Sequence, residues 1–195
     1  MAQSHKLPIR LHHNAYVTRD QEKTRQFYEE VIGLPLVATW CESDELFGKM
    51  RTYCHTFYSM ADGGALAFFQ FENPDDQQEF GPKMPASPFH HIALAVDAAT
   101  QAAIEKRIAA AGIKPPDTYV LEHGYCRSVY VTDPNGLILE FTRDHPDVEK
   151  IARDPFDGPL RERRKAGPLR RSEEQRAVLA GGPEPIFPVF HNLKL

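Results

Sequence analysis

Two histidine pairs and one glutamate in an apolar run are the residues of this chain whose types and spacing could do chemistry. Leu11-His12-His13 precedes one short apolar stretch and Phe89-His90-His91, 78 positions later, precedes another. Each stretch leads to a helical pattern that ends in glycine, Gly33 in the first half and Gly112 in the second. Each half closes on a matching strand, Gly64-Ala65-Leu66-Ala67-Phe68 and Leu137-Ile138-Leu139-Glu140-Phe141. Aligning Leu66-Ala67-Phe68 with Leu139-Glu140-Phe141 sets Ala67 against Glu140. If the halves pair about a pseudo-twofold axis, His13 faces His91 and Ala67 faces Glu140. Two imidazoles and one carboxylate then converge, with a methyl group at the fourth corner. Such a donor set suits Fe(II), Mn(II), Zn(II) or Ni(II) and leaves coordination positions open, as metal catalysis requires.

The elements that must position these groups repeat as βαβββ. His13 to Thr18 reads as a strand. Asp20 is a helix N-cap, and Thr24, Phe27, Tyr28 and Val31 form an apolar face at helical spacing. Gly33 suits the helix end and Pro35 blocks its continuation. Leu36–Trp40 and Tyr53–Ser59 read as strands, and Asp62-Gly63-Gly64 as a turn into the strand Ala65–Phe71. A polar, proline-rich loop follows from Glu72 to Pro88. The second half gives a strand His91–Val96 and an alanine-rich helix Ala98–Ala111 with Ile104 and Ile108 inward. Strands Tyr119–Leu121 and Arg127–Thr132, the turn Asp133-Pro134-Asn135-Gly136 and a closing strand Leu137–Thr142 complete it. Alternation along a strand puts His91, Ala93 and Ala95 on one face and Ile92, Leu94 and Val96 on the other. Glu140 points away from Leu139 and Phe141, in a run where a carboxylate is costly unless paired or metal-bound.

At 195 residues the chain suffices for one well-buried domain or two small modules sharing a core. A net charge of -4 offers no footprint for nucleic acid or an anionic membrane. The N-terminal residues lack the apolar run of a signal peptide, and no stretch has the length of a membrane span. Cys41, Cys54 and Cys126 are odd in number and widely spaced, so reduced thiols in a cytoplasmic protein are the expectation. The expected organisation is a domain over 8–146, with module one at 8–75 and module two at 88–146. An extension over 147–195 would act as a lid, a dimer clasp or a tail. Within it, Arg161 to Arg176 carries seven basic and three acidic residues, and Ile186-Phe187-Pro188-Val189-Phe190 is an apolar tip.

The plan resembles the vicinal oxygen chelate superfamily, which includes glyoxalase I, methylmalonyl-CoA epimerase, fosfomycin- and bleomycin-resistance proteins and extradiol ring-cleaving dioxygenases. The resemblance spans residues 8 to 146. It rests on His13 with Asp20 and Phe27-Tyr28, on Gly33-Leu34 and on His91-Ile92-Ala93-Leu94. It continues from Ser128-Val129-Tyr130 through Asp133-Pro134-Asn135-Gly136 to Glu140. It implies an α+β fold of two βαβββ modules whose curved mixed sheets enclose a metal-binding cavity, commonly in a homodimer. The site would then close within one chain or by exchange of modules between two.

Glyoxalase-like and epimerase-like relatives place a fourth ligand, Glu or Gln, where this chain has Ala67. Extradiol dioxygenases use two His and one Glu. The resemblance therefore favours an Fe(II) dioxygenase acting on a catechol-like aromatic, with His13, His91 and Glu140 as ligands and Tyr130 near the substrate oxygens. A glyoxalase-like lyase, isomerase or epimerase using another divalent metal is the alternative, with Glu72 or His55 as fourth ligand. A metal-free binding protein is the third reading. The dioxygenases also carry an acid–base His where this chain has Gly64, so His55 and His123 are the candidate replacements, or ordinary surface histidines. Tyr125 and Arg127 are candidates for the cavity mouth, with Arg127 orienting an anionic substrate group. Phe57, Tyr58, Phe69 and Phe71 would form core or line a pocket for a planar ring.

Overall fold

Asp20 and Gly33 bound the first helix as their types predict. In the computed structural model, which describes residues 8–81, 87 and 89–148, Asp20 accepts a hydrogen bond from the Lys23 amide at 3.0 Å. Gly33 takes the left-handed conformation at φ 91° and returns its N–H to Tyr28 O. Between them helix α1 (Gln21–Arg25) continues as a wider π-helical stretch, Gln26–Ile32. That winding exceeds four residues per turn, so Thr24, Tyr28 and Ile32 fall on one buried stripe with Phe27 beside it. Ile32, at 2% exposure, takes the inward place that regular helical spacing gives Val31.

The first unit is Met1–Ser87 together with Asp133–Leu137. Its sheet has the order β1-β4-β3-β2, from β1 (His13–Val17), β2 (Leu36–Leu46), β3 (Lys49–Ser59) and β4 (Ala65–Phe71). β1 runs parallel to β4, and the other pairings are antiparallel. The β2–β3 hairpin is longer than the apolar pattern indicates, because its outer half is held by polar cross-strand pairs such as Ser43–Thr52 (2.8 Å) and Tyr53–Asp44 (2.7 Å). The expected loop from Glu72 contains helix α2 (Pro74–Phe80), capped by Asn73 and opened by Pro74. Its buried Asp76 pairs with the buried Arg51 and with Lys49.

Cys41 and Cys54 are joined in a disulfide, which corrects the expectation of reduced thiols throughout. Their separation of 13 residues hides the pairing in sequence, but β2–β3 register sets them directly opposite with Cα atoms 4.1 Å apart. Cys126 is a free, buried thiol.

The second unit, Pro88–Thr132 with Ile138–Leu195, repeats the plan. Its strands β5 (His91–Ala95), β6 (Thr118–Glu122), β7 (Cys126–Thr132) and β8 (Ile138–Asp144) have the order β5-β8-β7-β6. β5 is again parallel to β8. Helix α3 (Ala98–Ala110) is capped by Asp97 and buries Ile104 and Ile108 as expected. Residues 149–195, which hold most of the proposed lid, clasp or tail, lie outside the described residues. No described helix is long and apolar enough to cross a membrane.

The halves also repeat in a way that composition hides. Gln21 Nε2 donates to the carbonyls of Cys54 (3.3 Å) and Phe68 (2.9 Å). Gln101 Nε2 donates to those of Arg127 and Phe141, each at 2.8 Å. With Phe68 aligned to Phe141, the strand registers make Cys54 and Arg127 equivalent as well. One amide thus ties the same two carbonyls in each unit, from different helical positions. Asp133 accepts from the Asn135 and Leu137 amides and from the Tyr28 hydroxyl, so the Asp-Pro-Asn-Gly turn is built into the first unit.

Gln101 is 1% exposed, and its Oε1 also accepts from Arg127 and Arg143. Gln101→Leu strands two buried carbonyls and removes an acceptor from two guanidinium groups. A loss of about 2–4 kcal/mol is expected in denaturant unfolding, well beyond an exposed change such as Lys106→Ala. His55 stacks on Phe69 at 3.5 Å, and its buried Nε2 has no hydrogen-bond partner among the described residues. Burial, and secondarily the nearby His13, push its imidazole down to about 4. A depressed folded value means that its contribution is intact above the unfolded value of about 6.5 and is lost as pH falls toward the folded one. Melting temperature should therefore drop between about pH 6.5 and 4, and less steeply in His55→Phe.

Candidate functional site

Parallel pairing of β5 with β8 sets Ala93 beside Glu140, and antiparallel pairing of β7 with β8 sets Tyr130 beside it from the other side. Glu140, His91, Tyr130 and Ser128 consequently share one sheet face, while Leu139 and Phe141 turn under the helix. Burial alternates along β5 as expected: His91, Ala93 and Ala95 are exposed, and Ile92 and Leu94 are partly covered.

Glu140 is 7% exposed, and its two oxygens have different partners. Oε2 lies 2.9 Å from His91 Nε2, and Oε1 accepts the Ser128 hydroxyl at 2.5 Å. The His91 ring meets Tyr130 edge-on at 5.7 Å, and Tyr130 stacks on Tyr119 at 4.7 Å. Burial, and then the Glu140 carboxylate, raise the Tyr130 phenol well above its usual value. The hydroxyl therefore stays protonated across the neutral range and serves as a donor. His123 Nε2 lies 3.4 Å from the Tyr130 oxygen, and the exposed Tyr125 stacks on His123 at 5.9 Å. Five residues singled out from sequence, His91, Glu140, Tyr130, His123 and Tyr125, thus stand together in the second unit.

Arg127 does not join them. It alternates out of phase with Ser128 and Tyr130, faces α3, and pairs with Glu105 (2.8 Å) and Glu122 (3.2 Å) while donating to Gln101. Its guanidinium braces the helix, and the structure does not bring it to the group around Glu140. Ser128 was legible only as part of a motif. The available signal was its two-residue phase with Tyr130, which puts both hydroxyls on the face of Glu140.

His13 and His55 belong to the first unit. His13 Nδ1 lies 2.8 Å from His12 Nδ1, and its ring meets Phe57 at 5.7 Å. Phe57 in turn contacts Trp40 (5.0 Å) and His55 (4.2 Å), so imidazole and benzene rings pave this face of the first sheet. His13 pairs with Ala65 as His91 pairs with Ile138, so Ala67 and Glu140 are equivalent by strand register. Ala67 is fully buried and brings no donor atom. A Cβ on Gly64 would lie 2.9 Å from Met60 and 3.1 Å from the Leu11 carbonyl, so the tight turn admits no histidine there without shifts.

Among the described residues no group of three or more His, Cys, Asp and Glu gathers as a metal cluster. The donor chemistry fits a divalent cation nonetheless. A carboxylate nearly buried in an apolar strand, aimed at an imidazole nitrogen, is the arrangement that a shared cation stabilises. His91 and Glu140, 2.9 Å apart within the second unit, could hold it.

Solved structures share this fold at low identity. The glyoxylase/bleomycin resistance protein/dioxygenase domain from Frankia sp. EAN1pec is 14% identical with a TM-score of 0.55, covering 72% of this chain and 100% of that one. The fosfomycin resistance protein FosX from Listeria monocytogenes is 18% identical in its monoclinic form at pH 6.5, with a TM-score of 0.52 and coverage of 73% and 98%. Its complex with Mn(II) and sulfate aligns with a TM-score of 0.50 at 17% identity, covering 74% and 99%. No curated protein sequence matches the chain significantly. The family model of the glyoxalase/bleomycin resistance protein/dioxygenase superfamily matches residues 10–141, and with that span the chain belongs to this superfamily.

Proposed function

We propose that the protein is a divalent-metal enzyme that takes a planar vicinal diol and cleaves its ring with O2, an extradiol-type dioxygenase. His13, His91 and Glu140 hold the metal, Fe(II) by preference over Mn, Zn or Ni. The observation that carries this reading is the register equivalence of Ala67 and Glu140, which puts a methyl group where a fourth ligand would otherwise stand. When bound, the ion supplies Lewis acidity, lowering the proton affinity of both diol oxygens. The reaction needs no external reductant, because both atoms of O2 enter the ring-opened product.

The chain's own groups do the rest. Tyr130, kept protonated by burial and by Glu140, donates a hydrogen bond to a substrate oxygen. His123, whose Nε2 lies beside the Tyr130 hydroxyl, is the base that takes up the diol proton, replacing the one that Gly64 cannot provide. Trp40, Phe57, His55 and Phe69 offer flat apolar surface to the ring and exclude water. The protein acts as a homodimer.

Protein purified anaerobically with iron should contain one Fe(II) per site and consume O2 with catechols. His91→Ala and Glu140→Gln should each abolish both. Bound Ni, Zn or Mn without O2 uptake over a broad diol panel would replace this reading by a glyoxalase-like lyase, isomerase or epimerase. Ligand binding with no metal would make the protein a binding module. Trp40 is the only tryptophan and is 55% exposed, so a bound catechol should quench its fluorescence. Phe57→Ala should weaken the quenching titration about 3- to 10-fold through the lost ring contact, and an unchanged titration would remove this face from the substrate site.

A further inference from the structure

Ser128 is fully buried on β7, and its neighbours leave its hydroxyl little choice. Its Oγ lies 2.5 Å from Glu140 Oε1, 3.1 Å from Thr142 Oγ1 and 3.9 Å from Cys126 Sγ. An ionised carboxylate only accepts, so the single Ser128 proton goes to Glu140. The Thr142 hydroxyl then donates to the Ser128 oxygen. The result is a chain running from Thr142 through Ser128 to Oε1, each bond polarising the next in a water-poor setting. Oε2 keeps the side toward His91, 2.9 Å away.

We infer that Ser128 is a positioning residue for Glu140: by holding Oε1 it fixes the carboxylate plane and presents Oε2 alone to a cation shared with His91. The inference rests on the metal reading above. A carboxylate's terminal torsion is broad and twofold, and packing against Leu139 and Phe141 does not choose which oxygen faces His91. The Tyr130 hydroxyl also hydrogen-bonds Glu140, and the short Ser128 bond is the one that pins Oε1 away from His91. Groups that orient a metal ligand in this way affect affinity without touching the metal.

The test is Mn(II) binding to full-length, metal-stripped protein, followed by loss of the free Mn(II) signal in electron paramagnetic resonance. Ser128→Ala should weaken binding about 10- to 100-fold, and Ser128→Thr, which keeps the hydroxyl, should restore most of it. Val129→Ala removes bulk from the opposite, core-facing side of the same strand. It should lower the melting temperature and leave Mn(II) affinity unchanged. Should Ser128→Ala not fold, Thr142→Val carries the test, with weaker Mn(II) binding expected from the broken chain. Wild-type affinity in Ser128→Ala would overturn the inference while leaving the metal reading intact. An equal loss in Val129→Ala would overturn it too, since affinity would then follow general stability. Wild-type protein that binds no Mn(II), Fe(II), Zn(II) or Ni(II) would overturn the metal reading and this inference together.

Discussion

Side by side and parallel, β5 and β8 set His91 beside Ile138 and Ala93 beside Glu140, and this register is what the rest of the site depends on. A parallel pair needs a crossover, and α3 supplies it. A slip of one residue would turn Glu140 under α3 among Ile104 and Ile108, where burying a carboxylate is costly, and would bring Leu139 or Phe141 to the outer face. The apolar residues on both sides of Glu140 thus hold it in phase. The same pairing of β1 with β4 puts His13 in the equivalent place of the first unit, with Ala67 where the second unit has its carboxylate.

Buried polar groups complete what register begins. Gln21 and Gln101 tie equivalent carbonyls in the two units, although one opens its helix and the other sits a turn further in. The fold conserves the tie because buried carbonyls without donors are costly, whereas the helix position that delivers the donor is free to vary. The two sheet faces divide the charged residues in the same way. Arg127 satisfies Glu105 and Glu122 beneath the sheet, while Glu140 and its hydroxyl donors occupy the other side.

Some departures from the sequence reading come from pairings between distant residues. The outer half of the β2–β3 hairpin shows no apolar alternation, since it is held by hydroxyl and carboxylate pairs across the strands. The Cys41–Cys54 disulfide follows from the same register. Helix α2 was more legible than the reading allowed, because Asn73-Pro74 followed by Asp75 and Asp76 is a helix start written in local residue types. Its anchor, Asp76 with Arg51, spans a separation that no local pattern reveals.

The amino-acid sequence by itself determined the doubled βαβββ plan, the helix ends at Asp20 and Gly33, the Asp-Pro-Asn-Gly turn, and the side of its own strand on which each of His91 and Glu140 stands. These are set by two-residue and helical periodicities and by caps and turns, which act over a few neighbouring positions. Only the tertiary structure decided which oxygen of Glu140 meets His91 and which meets Ser128, that Arg127 braces α3, and that Cys41 faces Cys54. Those outcomes depend on which donors and acceptors packing brings together from strands far apart in the chain. A buried carboxylate or guanidinium takes the partner that geometry offers, and periodicity fixes only the side on which it must be found.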